Sequence, residues 1–263
     1  MKKMIYQVYL GKRSKLYDHC TASVKAYAKR IGADYEVQRT PILMIKPDVF
    51  MTNRSKESYE KHGGFLPIYE KENAFAYLKR YDQVAIIDAD VFVRDDAPSI
   101  FDELPTGYSF GGVIERDMPI TPQYKTKIAN YSRMQYGMAP LNKLFNWDDS
   151  GANFYNMGVM LLNKSFDQYL EGETPLQFLR RPRFKPFIDG NGAWKWSTDQ
   201  TLLNVFVKES GMKVKNLDWK FNALYKGIKD VKLSEAHFIH FFLKDKLPQG
   251  GENIEKLMND IRK

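Results

Sequence analysis

The segment YDQVAIIDADVFV, residues 81–93, limits what this chain can fold into more than any other stretch. Val84 to Ile87 form an unbroken apolar run, with none of the alternation of a strand that has one wet face. Such a run reads as a central strand covered on both sides. Two carboxylates, Asp88 and Asp90, stand directly at its carboxyl end. Neither suits a core, and in open α/β sheets ligands bind just beyond the carboxyl ends of strands. With one residue between them, the two side chains lie close together as strand gives way to turn. Close like charges are unfavourable unless a cation holds them. A hard divalent ion, Mn2+ or Mg2+, takes such oxygen ligands and shares them with phosphate oxygens. A bare D-x-D string also occurs in solvated turns, but its placement after Val-Ala-Ile-Ile favours the metal. Asp95 and Asp96, before Ala97 and Pro98, are expected to open a helix, where acids suit the N-terminal dipole.

Around this element the chain alternates strands and helices. A strand is predicted over Met4 to Leu10, then a helix from Tyr17 to Ile31 with Val24, Tyr27, Ala28 and Ile31 on one face. Gly32 occupies the position where helices commonly stop, and Asp34 to Gln38 reads as a second strand. A helix from Glu70 to Arg80 feeds the central strand. Further strands are predicted over Tyr108–Ile114, Phe154–Leu162, Lys213–Leu217 and Ala236–Phe242, with a helix over Asp199–Val207. Ile254, Leu257, Met258 and Ile261 give a closing helix. Strand, helix, strand from the outset predicts an α/β fold. We expect one domain over residues 1–263, with a core of 1–114 and 151–248. Residues 41–70 and 115–150, which show no clear period, are expected to be insertions, and 251–263 a C-terminal helix.

Charge and cysteine content narrow the setting. A net charge of +8 suggests an anionic ligand or surface. The basic residues are scattered, however, and no nucleic-acid recognition motif accompanies them. Cys20 is the only cysteine, so no internal disulfide is possible, as fits a reducing compartment. The apolar run at the N-terminus is too short for a signal peptide, and no stretch is long enough to span a bilayer. The expected location is cytoplasmic, with peripheral membrane contact left open.

The segments YDQVAIIDADVFVRDDAPSIFD, NFYNMGVMLLN, STDQTLLN and HFIHFFLKDKLP follow in the order and rough spacing of a known family. Over about residues 70–248 the chain resembles the family-8-type glycosyltransferases, the glycogenin and bacterial galactosyltransferase kind within the nucleotide-diphospho-sugar transferase superfamily. The resemblance implies a glycosyltransferase A-type, Rossmann-like single domain with a central, mostly parallel sheet flanked by helices. It implies a metal, Mn2+ or Mg2+, held by Asp88, Asp90 and a late histidine. The family's I-H-F-x-G-x-x-K-P-W is matched through Ile239, His240, Phe241 and Lys246. Leu243 replaces the usual glycine, and Leu247-Pro248 replaces Pro-Trp. By this match His240 is the third ligand, and Lys246 binds the donor diphosphate. His237 competes for the metal, but strand alternation sends it and His240 to opposite faces.

Asn156 and Gly158 match the family's F-N-x-G-V segment, the amide reaching sugar hydroxyls and the glycine allowing close backbone approach. Asp199 and Gln200 match its D-Q pair near the reacting carbon, with helix capping as their structural alternative. Asp199, Gln200 and Asn156 are thus the expected catalytic residues. Lys71 stands where related enzymes place a basic residue that touches the donor, although an exposed helix lysine would look the same. Ala89, within the D-x-D, and Val8 and Tyr9, at the end of the first strand, complete the expected donor contacts.

The implied activity is transfer of a hexose-type sugar from a nucleoside-diphosphate sugar, with uridine diphosphate (UDP) as the implied carrier, to a glycan or protein acceptor. The family retains anomeric configuration. An inverting enzyme would need a carboxylate base, for which Asp148, Asp149 and Asp189 are candidates. Loops 41–70, 115–150 and 172–198, with Trp147, Trp194 and Trp196, are expected to shape the acceptor site. Alternatives are a non-catalytic glycan- or nucleotide-sugar-binding protein and, with less support, a sugar nucleotidyltransferase. The latter calls for a glycine-rich phosphate loop where LGKRSK has one glycine. A haloacid-dehalogenase-type phosphatase is suggested by DADVF, but that motif normally follows the first strand.

Overall fold

The computed structural model describes residues 1–48, 53–242 and 244–262. Leu243 and residues 49–52 of the expected 41–70 insertion lie outside them. Strand β1 (Lys3–Val8) leads through α1 (Lys15–Arg30) to β2 (Asp34–Gln38) and α2 (Asn53–His62). A 3-10 helix, Pro67–Lys79, enters β3 (Gln83–Ile87), and β4 (Val91–Val93) follows one turn later. Next come β5 (Phe110–Ile114), α3 (Pro122–Tyr136), a small hairpin of β6 (Trp147–Asp148) and β7 (Gly151–Ala152), and the long β8 (Tyr155–Asn163). Short helices α4 (Pro175–Leu179) and α5 (Lys185–Asp189) precede α6 (Asp199–Glu209). The chain closes with β9 (Val214–Asn216), β10 (Ala223–Leu224), α7 (Asp230–Leu233), β11 (Phe238–His240) and α8 (Ile254–Arg262).

The main sheet has six strands in the order β2-β1-β3-β8-β5-β9. β8 runs antiparallel to both β3 and β5, and every other ladder is parallel, so five strands share one direction. This is a mixed sheet, mostly parallel in sense, flanked by helices. β3 and β8 are buried along their whole lengths, as expected of apolar central strands with both faces covered. On α1, Leu16, Cys20, Val24, Tyr27 and Ala28 turn inward, and Gly32 takes the left-handed conformation (φ +69°) that ends the helix. The topology brings the carboxyl ends of β1, β3 and β5, and the amino end of β8, to one edge.

A second sheet, β10-β11-β4, stands beside that edge. Its β4–β11 ladder is antiparallel and pairs Val91 with His240 and Val93 with Phe238. Asp95 and Asp96 do not open a helix. The β4–β11 pairing carries on to Arg94, whose N–H bonds the His237 carbonyl, and Pro98 disfavours helical backbone at Ala97. The next helical turn begins only after Ser99.

The 115–150 insertion contains α3, which the sequence pattern hid. Its inner face carries Ser132 and Gln135 among Tyr124, Ile128, Ala129 and Tyr136, so hydrophobicity alone shows no period. Thr121 caps its first turn and Pro122 opens it. The Glu70–Arg80 helix is a longer 3-10 helix in which Glu70, Lys71 and Glu72 are all buried. The Glu70 carboxylate accepts the N–H groups of Ile42, Leu43 and Met44, which anchors the start of the 41–70 excursion. No helix among the described residues is long and apolar enough to cross a membrane.

Candidate active site

β3 delivers Asp88 to the sheet edge, and the turn that follows places Asp90 two residues on. The β4–β11 ladder then sets His240 against them, because the strand leaving the acidic turn pairs with the strand that ends in the histidine. The Phe241 N–H bonds the Asp90 carbonyl and fixes the register at this point. His240 Nε2 lies 3.2 Å from Asp90 Oδ1 and 3.8 Å from Asp88 Oδ2. One ligand atom from each of the three residues falls within 4.8 Å of the others. His237 is not part of this group, since its ring packs on Phe221.

Behind the acidic pair sits Lys71. Its ammonium lies 2.8 Å from Asp88 Oδ1 and 2.7 Å from Asp199 Oδ2, and donates to the Met157 carbonyl at 3.1 Å. The ammonium therefore has two ion-pair partners and one hydrogen-bond acceptor within the protein. Burial disfavours its charge, but Asp199 and Asp88 outweigh that and hold it protonated. Lys71 is thus not an exposed helix lysine. It ties the D-x-D turn to the first turn of α6. Burial raises the pKa of Asp88 although Lys71 opposes it, whereas His240 overcomes burial at Asp90 and lowers it.

A buried hydrogen-bond relay fixes the state of His240. The Gly158 N–H donates to Asn156 Oδ1 at 3.0 Å, which identifies that atom as oxygen. Asn222 Nδ2 donates to the same oxygen at 2.8 Å, so the Asn222 atom facing His240 Nδ1 at 3.1 Å is Oδ1, an acceptor. Nδ1 must then carry a proton, and the Nε2 position faces the two carboxylates. A bare nitrogen among carboxylate oxygens is stable only with a cation between them. A proton can serve, and Asp90 and Asp88 do raise the His240 pKa against the effect of burial. Two carboxylates and one imidazole nitrogen also fit a divalent metal. The relay ends at Glu115, whose oxygens accept from Asn156 Nδ2 at 2.9 Å and from the Tyr124 hydroxyl. Burial raises the Glu115 pKa, partly offset by those two bonds.

Gly158 is required by close approach. A Cβ there would stand 2.3 Å from His240 Cε1. β8 is irregular at this point: Gly112 of β5 faces Met160, whereas Val113 faces Asn156. The intervening residues bulge toward β3, where the Asp88 N–H bonds the Gly158 carbonyl. Bulges of this kind commonly re-aim side chains beside functional sites. Gln200 Oε1 accepts the Met157 N–H at 3.2 Å, and Thr198 caps α6. Asp199, Gln200, Asn156 and Gly158 all line one cleft with Lys71, Asp88, Asp90 and His240.

The remaining expected residues divide. Val8 and Ala89 line an adjoining pocket with Leu10, Tyr17 and Ile68, and that pocket shares Lys71, Asp88, Asp90 and Asp199 with the cleft. Tyr9 does not line it. Its ring is covered by Arg39 and Tyr17, and its hydroxyl accepts the Ser14 N–H. Lys246 lies in a neighbouring pocket beyond Phe242, with Lys127 and Lys226, and does not line the cleft itself. Asp148, Asp149 and Asp189 line no part of the cleft. Asp148 pairs with Arg116, and Asp189 binds Lys185 and the Asp48 N–H. No tryptophan lines the cleft either. Its outer wall is Tyr124, Lys127, Ile128 and Tyr131 of α3. Asn222, Glu115 and Tyr17 were not singled out from the sequence, and no local pattern marks them.

No protein-family model matches the chain, and no curated protein matches it. Solved structures do. One is a glycosyltransferase involved in glycosylation of the major capsid of PBCV-1, 12% identical, with a TM-score of 0.56 over 97% of this chain and 100% of that one. Another is the galactosyltransferase LgtC in complex with donor and acceptor sugar analogs, 14% identical, with a TM-score of 0.54 over 97% and 95%. The bifunctional glycosyltransferase WbbM is 12% identical, with a TM-score of 0.55 over 99% of this chain and 49% of that one. At these identities the likeness speaks to fold, and the fold is that of the GT-A glycosyltransferases.

Proposed function

We propose that the chain is a metal-dependent glycosyltransferase of the family-8 type. It would move a hexose-type sugar from a nucleoside-diphosphate sugar, with UDP the favoured carrier, to a glycan or protein acceptor, with retention. The observation that carries this reading is the Asp88–Asp90–His240 cluster at the carboxyl edge of a GT-A sheet. The LgtC structure holds donor and acceptor sugar analogs on the same fold, which supports a sugar-nucleotide role for the cleft.

Asp88, Asp90 and His240 would hold Mn2+ or Mg2+, which when bound offsets the negative charge that builds on a departing diphosphate. The apolar pocket of Val8, Leu10, Tyr17 and Ile68 suits a nucleoside, with Ala89 at its junction with the cleft. Asp199, Gln200 and Asn156 would then face the sugar, and Lys71 would hold Asp199 in place rather than touch the donor itself. Lys246 remains the proposed contact for the outer face of the diphosphate. Retention is supported by the fate of the carboxylates. Those that line the cleft are Asp88, Asp90, Glu115 and Asp199, and each is already engaged, while the candidates for an inverting base lie elsewhere. We read residues 1–263 as one domain whose α3 insertion walls the acceptor side.

The test is incubation with Mn2+ and a panel of UDP-, GDP- and CDP-sugars, measuring released nucleoside diphosphate. Slow donor hydrolysis that a chelator abolishes and Asp90→Ala removes is the expected result. Absence of binding and cleavage across the whole panel would leave a non-catalytic binding protein as the better reading.

A further inference from the structure

The cleft continues past the metal-ligating cluster. Beyond Phe242 it opens into a side cavity of about 300 Å³ walled by Thr121, Tyr124, Lys127, Tyr225, Lys226 and Lys246. Tyr124, Lys127 and Phe242 line both spaces. Since the apolar pocket joins the cleft at its other end, the order along the groove is apolar pocket, metal cluster, basic cavity. A donor with its nucleoside in the apolar pocket and its diphosphate at the cluster leaves the basic cavity as the side from which a second substrate enters.

Three solvent-exposed lysines line it, and none has a carboxylate partner among the described residues. Lys127 Nζ stands 5.4 Å from the Tyr124 ring centre and 5.5 Å from that of Phe242, and Lys226 Nζ lies 4.9 Å from Tyr225. Burial and the nearby Lys246 charge both lower the Lys127 pKa, against the opposing charge of Glu115. Glu115 is an acid acting on Lys127, but both of its oxygens are committed to Tyr124 and Asn156. Lys226 holds a left-handed backbone (φ +63°), which a lysine adopts only at a cost. It is locked there by the Thr121 N–H on the Gly227 carbonyl and the Ile120–Ile228 bridge.

Building on the transferase reading, we propose that this cavity receives the acceptor sugar and that the acceptor carries an anionic substituent, a phosphate ester or a carboxylate, bound by Lys127 and Lys226. Ammonium groups flanked by aromatic rings, with one wall open to the reacting centre, suit a sugar ring that bears a charge. The donor diphosphate is the other anion that could use these lysines, so the test carries an arm for it.

Binding of glucose 6-phosphate, glucuronate and glucose is measured by calorimetry on the Mn2+- and UDP-loaded protein, beside donor hydrolysis without acceptor. The two anionic sugars are expected to bind at least about tenfold more tightly than glucose, the range of one charge-assisted contact. The gap should close in both Lys127→Gln and Lys226→Gln, with thermal unfolding confirming that each variant is folded. Equal affinities for charged and neutral sugars, or a preference that survives both substitutions, overturn the proposal while donor hydrolysis keeps the transferase reading alive. The proposal also falls if both variants weaken UDP as much as they weaken glucose 6-phosphate. Lysine-dependent binding of the anionic sugars without cleavage of any donor would keep the cavity as an anionic-sugar site but sink the transferase reading, and the acceptor role with it.

Discussion

At the scale of single residues, the site is set by groups whose freedom has been removed. Gly158 is one. The ring its methyl would meet is held by Asn222 on one side and the carboxylates on the other, so it cannot swing away. Gly158→Ala should cost about 1–3 kcal/mol of stability and at least about tenfold in Mn2+ affinity, read by urea unfolding and metal titration. Asn222 acts through His240 by fixing its tautomer. Asn222→Leu should weaken Mn2+ binding by about 10–100-fold, whereas Asn222→Asp, which still accepts from Nδ1, should retain more of it. Equal losses in the two variants would mean that the tautomer is not what Asn222 controls. Glu72 presents the opposite case, a fully buried carboxyl with neither oxygen hydrogen-bonded, whose pKa burial pushes well above 4.5. With the folded pKa raised, the native state keeps a proton that the unfolded chain loses. The associated stability is present below pH 4.5 and declines as pH rises toward the folded value. Relative to Glu72→Gln, the wild type should therefore lose up to about 1.4 kcal/mol per pH unit above that point. A pH-independent difference between the two would contradict a neutral Glu72.

Among the elements, what could be read from the chain depended on whether chemistry and hydrophobicity pointed the same way. The Val84–Ile87 run, the inward stripe of α1 and the stop at Gly32 each agree with their neighbours, and each appears where expected. The acidic pair at the end of β3 was legible for the same reason, since two carboxylates directly after a buried apolar strand call for partners, and Lys71 and His240 supply them. α3 escaped notice because it buries Ser132 and Gln135, whose hydrogen bonds replace the apolar contacts that a period search detects. The buried run Glu70-Lys71-Glu72 escaped for a related reason. Charges this consecutive look like a wet surface until the distant partners of Glu70 and Lys71 are known. Asn222 carries no local signal at all, because its importance lies wholly in the two residues that flank it in space. α3 bears the outer wall of the cleft, so its start is a place to test how firmly that wall is held. The Thr121 side chain accepts the Tyr124 N–H, and Thr121→Ala should destabilise the fold by about 0.5–2 kcal/mol, measured by chemical denaturation. A change within error would show that Pro122 and packing alone start the helix.

For the molecule as a whole, the Asp88–Asp90–His240 cluster joins segments far apart in the chain. Asp88 and Asp90 end the first half of the main sheet, while His240 belongs to the last strand of the second sheet, and only the β4–β11 ladder brings them together. An ion that binds all three would therefore bind the folded state and find no such site in the unfolded chain, so its binding free energy adds directly to stability. At a hundred times its dissociation constant, such an ion contributes about 2.7 kcal/mol, which for a chain of this size raises Tm by roughly 5–10 °C. Mn2+ should produce that shift, a chelator should reverse it, and His240→Ala and Asp90→Asn should each abolish it. The substitutions separate this from general cation effects, because a surface ion would stabilise all three proteins alike. The same experiment bears on how the cluster is held without metal. Lys71 anchors only the Asp88 side, so the His240–Asp90 contact then rests on the imidazole proton alone. Wild type and His240→Ala melting together both with and without Mn2+ would mean that the histidine neither ligates the ion nor helps to close the two sheets, and the proposed centre would fail with it.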